Sequence, residues 1–105
     1  MTNAETNNLI LLSHVLAVFE SPDEALAVLR ELCTPQEIRV IAQRLGIAEL
    51  LMQGIPQQKI HMMMCHGENA RRPSTATIAR VSGIVKNGDG HLCRMIARAN
   101  GVEGS

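Results

Sequence analysis

The sequence predicts an all-α fold, and two observations carry the prediction. Apolar residues make up 46% of the 105-residue chain, yet Phe19 is its one aromatic side chain. A core limited to Leu, Ile, Val, Ala and Met suits helix packing better than an all-β sandwich. The second observation is a repeated start signal: Ser21-Pro22-Asp23-Glu24 and Thr34-Pro35-Gln36-Glu37, thirteen residues apart. Each places a hydroxyl at the N-cap, a proline at N1 and a glutamate at N3, so two helices follow one another with almost no loop. The length fits one domain, residues 1–105.

Six helices are expected. The first is the apolar stretch 8–19, "NLILLSHVLAVF", in which His14 is expected to be buried or interfacial rather than a catalytic base. The second runs "PDEALAVLRELC", with Leu26, Leu29 and Cys33 on one face. The third, "PQEIRVIAQRLGIAELLMQ", carries two apolar stripes: Ile38, Ile41, Leu45, Ala48 and Met52, and then Val40, Ile47, Leu50 and Leu51. Gly54 is its expected C′ residue. A helix apolar on two faces must bury both, and a small chain has little to cover them with. An intertwined homodimer is the expected solution, with residues 8–54 as its core.

The fourth helix is expected from about Gln57 to His66, stopped by Gly67 and Asn69. Ser74 caps a fifth, "TATIARVSGIVK". Asp89 or Gly90 opens the last, "HLCRMIARAN", within a C-terminal segment of 88–100.

Charge is unevenly shared along a chain of zero formal net charge. Residues 1–55 hold seven acidic side chains against Arg30, Arg39 and Arg44. Residues 56–105 reverse this: Lys59, Arg71, Arg72, Arg80, Lys86, Arg94 and Arg98 stand against three acids. That is the pattern of an acidic scaffold with a basic half that meets phosphate.

Residues 55–87 hold two short helices that would form a helix-turn-helix if packed across each other. The second helix of that motif enters the major groove with its N-terminal residues toward the bases. Ser74, Thr75 and Thr77 supply short donors and acceptors, and Ala76 supplies a methyl for a thymine methyl. Gln57, Gln58, Lys59, Arg71, Arg72 and Lys86 are expected at phosphates. The expected partners are a double-stranded DNA operator and a second copy of the chain.

At these residues a family resemblance appears. "LCTPQEIRVIAQRLGIAELLMQG", followed by "STATIARVSGIVKNGDG", resembles the Trp repressor family, particularly its smaller branch of Trp-repressor-like regulators. The likeness covers roughly residues 8–100. It implies a six-helix, intertwined homodimer and a sequence-specific transcriptional regulator, in the sense of a repressor. In tryptophan-responsive members two arginines clasp the amino acid. Their counterparts here are Arg44 and Arg80, and Thr34 matches a pocket threonine. The family glycine that leaves room beside the indole is Val81 here, and a polar position three residues on is Ile84. No cofactor is therefore expected, tryptophan included. A second departure is length: thirteen residues separate Ile60 from Ser74, where the family has about six.

Other chemistries find little support. His61 and Cys65 are i, i+4 with His66 adjacent, but the spacing matches no standard zinc pattern, and no metal is expected. Met62, Met63 and Met64 point around a helix rather than converging, and read as packing. Cys33, Cys65 and Cys93 are odd in number without close pair spacing, which fits reduced thiols. There is no Gly-rich phosphate loop, nucleophile elbow or paired carboxylate in an apolar setting, so an enzyme is not expected. The polar start "MTNAETNN" lacks a basic n-region, and no apolar run approaches the roughly 18 residues of a membrane span, so a cytoplasmic protein is expected. The alternative reading is a dimeric protein-interaction module of the same fold that has lost operator binding. A thiol- or metal-responsive sensor centred on Cys65 is the third.

Overall fold

In the computed structural model, residues 1–64, 73–87 and 90–104 are described. Among them lie six helices and no strand: α1 Asn3–Ala17, α2 Pro22–Leu32, α3 Pro35–Met52, α4 Gln57–Met63, α5 Thr75–Asn87 and α6 His91–Gly104. The all-α, six-helix expectation is met. The chain divides into two compact units, Met1–Ile38 and the part from Arg39 onward.

In the first unit the helix starts are fixed by local hydrogen bonds. Thr2 caps α1, five residues earlier than the apolar run suggests: the Glu5 N–H donates to Thr2 Oγ1 at 3.1 Å and the Thr2 N–H to Glu5 Oε2 at 3.4 Å. Ser21 caps α2 by accepting from the Glu24 N–H at 3.1 Å, with Pro22 in the first turn. The Glu24 carboxylate accepts instead from the Glu20 N–H, at 3.3 Å. At α3 the box is reciprocal. Glu37 N–H donates to Thr34 Oγ1 at 3.1 Å, and Thr34 N–H to Glu37 Oε1 at 2.8 Å. The Thr34 backbone N–H, and to a lesser degree the Thr34 hydroxyl, hold the Glu37 carboxyl below its ordinary pKa by donating to it.

Neither α1 nor α2 contains a buried residue. Leu11, Leu16 and Leu32 are each more than half exposed, and His14 is exposed rather than buried.

The second unit holds the core. Ile47 and Ala48 of α3, Ile60 of α4, Ile78 and Val81 of α5, and Ile96 of α6 form one buried cluster. Leu50, Leu51, Ile55, Met64, Val85 and Leu92 pack around it. Of the two stripes on α3, one supplies Ile47, Leu50 and Leu51 to this core and the other only Ala48. Ile41, Leu45 and Met52 of that second stripe stay exposed. Helix α3 closes at Gly54, where φ is +84°, a conformation that costs glycine nothing. The Gly54 N–H donates to the Leu51 carbonyl at 3.0 Å and the Ile55 N–H to that of Leu50 at 3.2 Å. This is the paired arrangement of a Schellman motif, and Ile55 and Leu50 both meet the core beside it.

Helix α4 is shorter than its sequence suggests, ending at Met63 with Met64 as C-cap. The three methionines divide as helical geometry requires. Met64 packs on the core, while Met62 is 71% exposed. Cys65, His66, Arg71 and Arg72 lie outside the described residues. Helix α6 opens at Gly90, whose carbonyl accepts from the Arg94 N–H at 2.9 Å.

Candidate nucleic-acid interface

Helices α4 and α5 pack on one another through Ile60 and Ile78, both fully buried. Pro73 is also buried, immediately before the cap of α5, so the start of that helix is fixed on both sides of Ser74. Proline locks φ near −65° and has no N–H to satisfy, which suits a buried lead-in to a helix.

The hydroxyls at this start are unequal. Ser74 Oγ accepts from the Thr77 N–H at 3.0 Å and lies 2.9 Å from Thr77 Oγ1. Ser74 is exposed and Thr77 half-buried, and their side chains satisfy each other. Thr75 and Ala76 are exposed. The Thr75 hydroxyl makes no hydrogen bond among the described residues. Ala79, which the sequence reading passed over, is exposed as well, four residues beyond Thr75 on the same face. Its signal was available in the helical spacing.

Gln57, Gln58 and Lys59 are all exposed on α4, and Arg80 and Lys86 on α5. Gln57, Gln58 and His61 line a shallow groove with Thr75 and Ile78, bringing the polar side chains of α4 against the start of α5. Helices α4 and α5 carry no carboxylate of their own, and Lys59, Arg80 and Lys86 are exposed on them. Such a surface attracts polyanions.

The effector candidates fall in both units. Thr34 lies in the first unit, exposed, with its hydroxyl engaged in capping α3. Arg44 and Arg80 belong to the second unit and are exposed. Val81 is 3% exposed and part of the core, so its side chain fills the space a glycine would leave. Ile84 is 42% exposed. Among the described residues no three His, Cys, Asp or Glu side chains come together as metal ligands, and no helix is long and apolar enough to cross a membrane.

No curated protein and no solved structure matches the chain. The family comparison gives a definite result: residues 7–100 match the family described as Trp repressor protein. The match runs through all six helices and includes both the capped start of α3 and the α4–α5 pair. The chain belongs to the Trp repressor family, a family of DNA-binding helix-turn-helix regulators rather than enzymes.

Proposed function

We propose that the chain is a sequence-specific transcriptional repressor that binds an operator as a homodimer. The observation that carries this reading is the α4–α5 pair: two helices packed through Ile60 and Ile78 that expose Lys59, Arg80 and Lys86, with no carboxylate on either helix. Lys59 and Lys86, with Gln57 and Gln58, are suited to phosphate and groove contacts, and the start of α5 to base edges. Arg71 and Arg72 are assigned to phosphates on sequence grounds alone.

The homodimer is supported by what the first unit leaves uncovered. Leu11, Leu12 and Val15 of α1 line an open trough with Val28 and Leu32 of α2. Five half-exposed leucines and isoleucines on α1, covered by a partner, would contribute on the order of 5 kcal/mol per chain. A second copy also supplies the second recognition helix that a two-fold operator requires. The occupied core at Val81 favours operator binding that does not depend on tryptophan. The Thr34–Arg44–Arg80 set remains the candidate for any other effector.

A gel-shift series on the DNA upstream of its own reading frame, at two salt concentrations, tests the reading. Tight, salt-sensitive and sequence-selective retention is expected. Salt-sensitive binding without selectivity would overturn it. A dimer with no DNA affinity would favour a protein-interaction module built on the same fold.

A further inference from the structure

We propose that sequence is read in the groove between α4 and α5, where the Thr75 hydroxyl and an α4 glutamine amide together recognise an adenine edge. Ser74 and Thr77, on this assignment, only position the helix. The inference rests on the DNA-binding reading above and deepens it.

Three observations lead to it. The groove is lined by Gln57, Gln58 and His61 from α4 and by Thr75 and Ile78 from α5. Two glutamine amides and one hydroxyl therefore share a single solvent-open hollow, although they are some eighteen residues apart in sequence. Next, the hydroxyls of α5 are already sorted. Ser74 Oγ is held by the Thr77 N–H at 3.0 Å and by Thr77 Oγ1 at 2.9 Å, while Thr75 is exposed with no hydrogen bond among the described residues. A hydroxyl spent on a helix cap offers less to a base edge, and breaking the cap to reach one would cost about 1 kcal/mol. Finally, Ile78 at the floor of the hollow is fully buried in the same core cluster as Ile60 of α4, so the two helices that wall the hollow are packed on one another.

The chemistry of the groove selects the base. A glutamine amide presents one donor and one acceptor in a fixed plane, matching the N7 acceptor and N6 amino donor of adenine. Guanine shows two acceptors on the same edge and would leave the amide oxygen unpaired. The Thr75 hydroxyl rotates to donate or accept, so it can serve the neighbouring base, and its methyl can meet a thymine methyl. No carboxylate stands in residues 50–64 or 73–87 to draw a cytosine amino group instead. The preference should therefore be for an adenine at one position in each half-site.

Selection of bound duplexes from a randomised pool tests this, using the full-length protein and its Q57A, Q58A, T75V, S74A and T77V variants. Folding is checked by circular dichroism and thermal unfolding. We expect T75V and one glutamine variant to relax an adenine preference at a fixed position by roughly tenfold. S74A and T77V should lower affinity for all duplexes alike and leave their ranking unchanged, with S74T restoring the loss. Replacing the selected adenine by 7-deazaadenine should weaken the wild-type complex similarly and add nothing to the effect of the critical glutamine variant. A ranking changed by S74A as strongly as by T75V, or unchanged by T75V and both glutamine variants, would overturn the assignment while leaving the regulator reading intact. Failure of the wild-type chain to retain any duplex would overturn both.

Discussion

Asn100 on α6 donates from Nδ2 to Glu49 Oε2 on α3 at 2.9 Å, a bond spanning 51 positions of sequence. Both residues belong to the second unit, and the contact ties α6 across the core to the helix that anchors α4. A hydrogen bond to a carboxylate on a partly wet surface contributes about 1 kcal/mol. N100A should therefore lower unfolding stability by about that amount. It should also raise amide exchange in α6 more than in α5. Equal exchange in both helices would count against α6 being held by this bond.

The capping chemistry was legible in the sequence because it is local. Ser21 and Thr34 cap α2 and α3 as their spacing suggests, and Gly54 closes α3 in the expected left-handed conformation. The start of α1 was missed although Thr2-x-x-Glu5 carries the same signal, because no apolar run follows it at once. Burial was harder to read. Two stripes on α3 look alike in sequence, yet Ile47, Leu50 and Leu51 of one meet the core of Ile60, Ile78 and Ile96 while the other sends only Ala48 there, and that depends on residues far away in the chain. At the interface the inventory of hydroxyls was plain. Their division into engaged Ser74 and Thr77 and unengaged Thr75 required geometry.

Glu37 supplies a pH-dependent element. Its folded pKa is lowered by accepting from the Thr34 backbone and side chain, so its contribution is present above the ordinary carboxylate pKa. It declines as pH falls through that range and is gone below the lowered folded value. A carboxyl-carbon NMR titration should show Glu37 titrating below the ordinary glutamate value. T34A removes the hydroxyl and leaves the larger backbone bond, so it should raise the midpoint only part of the way toward the ordinary glutamate value. A midpoint unmoved by T34A would exclude the Thr34 hydroxyl as a cause.

On the proposed reading, Val81 leaves no room for tryptophan. At 3% exposure it is packed with the core isoleucines. V81G removes about 2 kcal/mol of burial and adds about 1 kcal/mol of helix cost, so a loss on the order of 3 kcal/mol is expected in chemical denaturation. Millimolar tryptophan should change neither the melting temperature nor the DNA affinity of the wild-type protein. A rise in melting temperature with tryptophan would overturn the claim that the core occupies the site.

The exposed cations divide by what they do to salt dependence. Replacing Lys59 or Lys86 with alanine should weaken binding to every duplex by a similar factor. Each change should also lower the slope of log K against log salt by about 1. Fluorescence anisotropy at several salt concentrations reads both quantities. An unchanged slope for K59A and K86A would remove them from the phosphate contacts.

The apolar surface of α1 gives the sharpest test of the homodimer. Leu11 is 62% exposed and lines the trough shared with α2, so a glutamate there costs a monomer almost nothing. Buried against a second copy, the same carboxylate would be desolvated without a partner, a penalty of several kcal/mol. L11E should shift the sedimentation of the protein from dimer to monomer at micromolar concentration, lower its helicity, and abolish binding to a two-fold site. The L11M variant, similar in volume and apolar, should behave as the wild type does. If wild-type protein sediments as a monomer, or L11E dimerises normally, then α1 is covered by something other than a second copy.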